Sequence, residues 1–156
     1  MKSTSECCAP KPADLRDRAL RLLARREHSR VELARKLEQV GFAGDDIAPL
    51  LDAFEAKNWL SDRRFAESYV ADHRARAGGI KLAYDLRQRG VSDTIIDAVL
   101  SENRDSELDR AREVWKKKFG SPPADMTEKA RQIRFMQSRG FTPEVIRCAI
   151  NSAAET

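Results

Sequence analysis

The sequence is poor in cysteine, glycine, proline and aromatic residues, and each shortage removes a class of protein. Three cysteines, two of them adjacent at Cys7 and Cys8 and the third at Cys148, cannot frame a secreted disulfide scaffold. Seven glycines and six prolines in 156 residues are too few for the turns of a many-stranded β fold or for a disordered linker. No apolar run approaches the roughly 20 residues needed to span a bilayer. The opening MKSTSECCAPKPAD lacks the apolar stretch of a secretory signal. Residues 1–13 are expected to be a reduced, disordered tail, and the protein to be cytoplasmic.

Catalytic signatures are absent too. No GxxxxGK[ST] offers a phosphate cradle, no GxGxxG opens a helix after a strand, and no GxSxG elbow occurs. The two histidines, His28 and His73, sit among charged residues without a nearby cysteine or second histidine, so solvated surface roles are expected for both. The acids alternate with Lys and Arg along helix faces, as salt-bridged surfaces do. No enzyme, cofactor or metal site is expected.

What the chain does have is 41% hydrophobic and 35% charged residues with only 6% aromatics, so its core is aliphatic and suits packed helices. Lys and Arg number 29 against 25 acids, a mild surplus of +4 that tolerates a polyanionic partner.

Three glycines expose a repeat. Gly41, Gly90 and Gly140 end the similar segments KLEQVGF, DLRQRGV and FMQSRGF, spaced by 49 and 50 residues. Aligned on them, seven columns are apolar in all three copies. These are Val31, Ile80 and Ala130 ten before; Ala34, Ala83 and Ile133 seven before; and Leu37, Leu86 and Met136 four before. After the glycine come Phe42, Val91 and Phe141; then Ile47, Ile96 and Ile146; then Leu50, Val99 and Ala149; then Leu51, Leu100 and Ile150. The columns at −10, −7 and −4 fall within about 120° on a helix and predict one buried face. The glycine predicts a left-handed helix end. Ser29, Ser92 and Thr142 read as N-caps, and Ser61 or Asp62 as the cap of a further helix.

Leu15 to Arg26, Phe65 to Arg76 and Leu108 to Phe119 supply one more amphipathic run per repeat. The expected fold is all-α: three tandem three-helix repeats at 14–60, 61–104 and 105–153, stacked in an elongated array whose curvature is left open. Trp59, Trp115, Phe65 and Tyr69 are expected in the core.

Net charges of +1, +1 and +2 over residues 15–60, 61–104 and 105–156 single out no basic repeat. Position is more informative. Lys81 and Arg131 share the −9 column, Arg89 and Arg139 the −1 column, and Arg134 lies at −6. The −9 position projects almost opposite the expected core face, so a cationic stripe is predicted on an outer face. Arg63, Arg64, Arg74 and Arg76 add charge on the first helix of repeat two. Such a stripe suits phosphates or an acidic protein surface. Lys116, Lys117 and Lys118 are explained as complements to a helix C-terminal dipole.

Three blocks resemble the RecX family of bacterial regulators of the RecA recombinase. They are ALRLLARREHSRVELARKL (19–37), WLSDRRFAESYV (59–70) with Leu60, Asp62, Arg64, Phe65 and Ala66, and WKKKFG through KARQIRFMQSRGF (115–141). The similarity spans roughly 15–150 in the family's order. One departure is the family's Gly-Pro approach to the middle helix of repeat two, which here reads Gly78-Gly79-Ile80. The resemblance implies a non-enzyme that docks in the groove of the RecA–DNA filament as a monomer. It further implies restraint of strand exchange, ATP hydrolysis and coprotease activity in recombination, repair and the SOS response. Whether single- or double-stranded DNA is touched directly stays open. The alternative is a stand-alone helix-turn-helix-like DNA-binding protein, but basic residues spread over three repeats do not concentrate on one recognition helix.

Overall fold

The computed structural model describes residues 11–155. Cys7, Cys8 and most of the expected tail lie outside the described residues. Among the described residues there are nine α-helices and no strand. They are α1 (Pro12–Arg25), α2 (Arg30–Gln39), α3 (Gly44–Ala56), α4 (Asp62–His73), α5 (Gly79–Gln88), α6 (Asp93–Ser101), α7 (Glu107–Lys118), α8 (Met126–Ser138) and α9 (Pro143–Ala154). A single 3-10 turn, Arg104–Ser106, precedes α7. Helix α1 starts inside the expected tail, with Pro12 at its first position and the Asp14 carboxylate accepting the Lys11 N–H.

The repeat glycines all have positive φ at the ends of α2, α5 and α8: 107° at Gly41, 79° at Gly90 and 83° at Gly140. The residue after each glycine donates its N–H back to the −4 carbonyl: Phe42 to Leu37, Val91 to Leu86, and Phe141 to Met136. The side chains of the same three pairs are buried, so one motif closes the helix and seals the core. Ser29, Ser92 and Thr142 each accept an N–H from the third residue on, as N-caps do. Ser61 caps α4, and Asp62 instead accepts the N–H of Arg30 at the start of α2, 2.8 Å away.

One column was misplaced. Ile80 is 56% exposed, Ala130 is exposed, and Val31 is half-buried, whereas the −8 column of Leu33, Leu82 and Gln132 is fully buried. Gln132 conceals this column because it is polar. Its Oε1 accepts the Trp115 indole N–H at 2.8 Å, which satisfies both groups in the core. The core face therefore centres on −8 and −4, and the −9 position flanks it at about 120° rather than opposing it.

Two further expectations fail. His28 is 1% exposed rather than solvated, held by the Arg26 carbonyl at Nδ1 and the Lys36 ammonium at Nε2. Trp59 is 43% exposed, because the turn at Asn58 (φ 57°) sends Leu60 into the core instead. Trp115 and Phe65 are buried as expected, and Tyr69 is half-buried.

The chain divides within α4 into two compact units, one ending at Phe65 and one beginning at Ala66. The first gathers α1 to α3 around Leu15, Leu33, Leu37, Ile47, Leu51 and Phe54. Repeats two and three share the second unit, which contains the core cluster of Trp115, Met136, Phe141, Ile146 and Ile150. Within it the end of α8 meets the start of α5. Gly78 N–H donates to the Arg139 carbonyl at 2.8 Å, and Ile80 N–H to the Gly140 carbonyl at 3.1 Å. Gly79 donates its N–H to Glu107 Oε1 at 2.8 Å, a bond proline could not make at this position.

Candidate functional site

The structure divides the nine candidate cations by what holds them. Arg64 is structural: its Nε donates to Glu27 Oε1 at 3.0 Å and ties the start of α4 to the loop before α2. This accounts for the motif at 60–66, in which Leu60, Phe65 and Ala66 are buried while Asp62 and Arg64 reach the first repeat. Arg63 is exposed on the same turn.

Arg89 and Arg139 do not project away from the core. Both are half-buried at helix ends, because the −1 position lies only about 40° from the corrected core direction. Arg89 sits over the Tyr69 ring at 4.7 Å and donates to the Asp85 carbonyl, while Tyr69 Oη donates to the Asp85 carboxylate. Burial pushes the Tyr69 phenol upward from its ordinary pKa against the pull of the Arg89 charge, and the Asp85 carboxylate adds to the rise. Arg139 sits over Phe135 at 5.1 Å.

Lys81, Arg131 and Arg134 are exposed. Arg131 lies over Phe119 at 5.7 Å, and Arg134 has no partner among the described residues. Arg74 and Arg76 lie beyond α4, which ends at His73, in the turn that leads to α5. That turn is fixed by Arg110 of α7, whose guanidinium donates to the carbonyls of Arg74 (2.8 Å) and Ala77 (3.1 Å). Burial pushes the Arg110 pKa down despite Glu107 nearby.

The second unit brings two of these candidates together. Arg76 and Arg139 line a groove of about 360 Å³ with Ala75, Val114, Lys117 and Lys118. The lysines come from the end of α7, Arg139 from the end of α8, and Arg76 from the turn after α4. Lys118 shares the Phe135 ring with Arg139, at 5.6 Å, and Phe135 meets Phe119 edge-on with centroids 5.4 Å apart. Of the basic run at 116–118, Lys117 and Lys118 line this groove and Lys116 does not. Sequence reasoning missed this because the groove joins turns some 40 and 60 residues apart.

Among the described residues no group of three His, Cys, Asp or Glu could hold a metal ion, and no helix is long and apolar enough to cross a membrane.

Three family models match the chain in tandem: the first three-helix domain of RecX at residues 16–53, the second at 61–100 and the third at 105–150. Regulatory protein RecX of Ralstonia nicotianae is 44% identical over 142 residues, covering 91% of this chain and 89% of the relative. Its counterpart in Halorhodospira halophila is 45% identical over 143 residues, covering 90% and 89%. The crystal structure of RecX from Lactobacillus salivarius superposes with a TM-score of 0.80 at 18% identity, covering 93% of this chain and 97% of that one, a likeness of fold.

Proposed function

The chain belongs to the RecX family, and from that premise we propose that it is a regulator, mainly negative, of the RecA recombinase. It docks in the groove of the RecA–DNA filament and limits strand exchange, ATP hydrolysis and coprotease activity, favouring disassembly of the filament. The observation that carries this reading is the full tandem of three RecX domains in family order along one chain. The cations support it: Lys81, Arg131 and Arg134 are exposed and free of ion pairs among the described residues, so their charge is available to a polyanionic or acidic partner.

Co-sedimentation tests the reading. At physiological salt the chain pellets with RecA–DNA filaments at concentrations where it pellets far less with naked single- or double-stranded DNA. Equal pelleting with naked DNA would favour a stand-alone DNA-binding protein and sink the regulator.

A further inference from the structure

The groove between the ends of α7 and α8 and the turn after α4 holds four cations, Arg76, Lys117, Lys118 and Arg139, and no acid. None of the four has an ion-pair partner among the described residues, unlike Arg26, Arg30, Arg64, Arg87 and Arg112. Helix C-termini offset part of this charge. Two such ends carry about half a negative charge each, leaving a surplus of roughly +3 at the groove. Three of the four are held in place, since Arg110 fixes the Arg76 turn and the Phe135 ring positions Lys118 and Arg139. Fixed, unpaired cations of one sign repel one another in the absence of a ligand, and an anion removes that cost.

From this we propose that the groove is a binding site for the phosphodiester backbone of single-stranded nucleic acid. Lys117 and Lys118 act as point charges on successive phosphates, Arg139 and Arg76 flank the track, and Ala75 and Val114 provide an apolar wall for sugar carbons. Inorganic phosphate has nothing to place on that wall. An acidic peptide fits less well, because the lining offers no backbone edge or row of pockets to fix its register. The proposal deepens the regulator reading only in placing this chain against a DNA strand within the filament.

The test is fluorescence anisotropy of a labelled thymidine oligonucleotide with the full chain across a sodium chloride series. Lys117→Gln/Lys118→Gln should weaken binding about ten-fold and flatten the log–log salt slope by about 1.4, the loss of two single-strand phosphate contacts. Lys117→Gln alone, which leaves the Phe135 contact of Lys118 intact, should flatten it by about 0.7. Lys116→Gln is the control. It removes the same dipole complement from the same turn, but lines a separate cavity beside Trp115, and should bind as wild type. Equal affinity and slope in all four proteins would overturn the site. So would an equal loss in Lys116→Gln, which would reveal a diffuse charge effect. A fourth result, in which the double variant loses poly-glutamate binding while keeping the oligonucleotide, would assign the groove to an acidic protein and overturn it too. Co-sedimentation with RecA filaments is read separately: a chain that binds the oligonucleotide through this groove yet ignores the filament defeats the regulator reading and leaves the site standing.

Discussion

Gly78 and Gly140 meet backbone to backbone: a Cβ on Gly78 would lie 2.5 Å from the Gly140 carbonyl oxygen, and one on Gly140 would lie 2.3 Å from the Cβ of Lys81. Both approaches are closer than real Cβ atoms allow, and the opposing atoms are backbone or nearly so. The contact seats the end of α8 on the start of α5 and makes repeats two and three one unit.

Gly140→Ala should therefore cost about 2–5 kcal/mol, combining left-handed strain with overpacking. Gly41→Ala occupies the same repeat column, but nothing lies within 4 Å of its Cβ, and about 1–2 kcal/mol of strain is expected. Urea denaturation of the two variants checks the difference. Equal costs would mean that the glycine column reflects helix closure alone.

The buried pair of Gln132 and Trp115 gives a second prediction. Leucine stands in the Gln132 column in the other repeats, at Leu33 and Leu82, yet Gln132→Leu should cost about 1–3 kcal/mol by orphaning the indole N–H. In a double-mutant cycle with Trp115→Phe the two changes should cost less together than the sum of each alone. Additive costs would show that the bond contributes nothing specific.

How far the fold was legible follows from the same residues. The Leu37–Phe42, Leu86–Val91 and Met136–Phe141 pairs were readable because each lies within one motif and is apolar every time. The −8 column was not, since one polar member satisfied by a distant indole breaks an apolar pattern. His28 was misread for a related reason: charged neighbours in sequence describe the loop, while the buried ring meets Lys36 eight residues further on. The candidate cations were legible as a set. Their division into structural, ring-packed and free members depends on tertiary partners, as does the groove, whose walls are turns far apart in the chain.

His28 provides a pH dependence. Burial holds its pKa below the ordinary histidine value, opposed first by the hydrogen bond to the Arg26 carbonyl and assisted by the Arg26 and Lys36 charges, with a smaller upward pull from Glu32. The unfolded chain then binds the extra proton first, so stability rises with pH in that window. The contribution is complete above the unfolded value near pH 6.5 and is lost as pH falls through it toward the depressed folded value. The stability of wild type relative to His28→Gln should shrink between neutral pH and about pH 5, measured by thermal melting at each pH. A constant difference would place His28 outside this linkage.

Charge reversal separates exposed cations from half-buried ones. Lys81→Glu/Arg131→Glu/Arg134→Glu should leave the circular-dichroism melt within a few degrees of wild type, since all three are exposed. Arg89→Glu and Arg139→Glu should each lower it further, by removing the stacking on Tyr69 and Phe135. Equal melts for all of these variants would contradict the division.

The most direct measurement is DNA-dependent ATP hydrolysis by RecA, titrated with the wild-type chain and with the folded Lys81→Glu/Arg131→Glu/Arg134→Glu variant. The account predicts that wild type suppresses hydrolysis at concentrations near that of the filament, that added salt relieves the suppression, and that the variant suppresses it far less. Undiminished hydrolysis in the presence of saturating wild-type chain would contradict it.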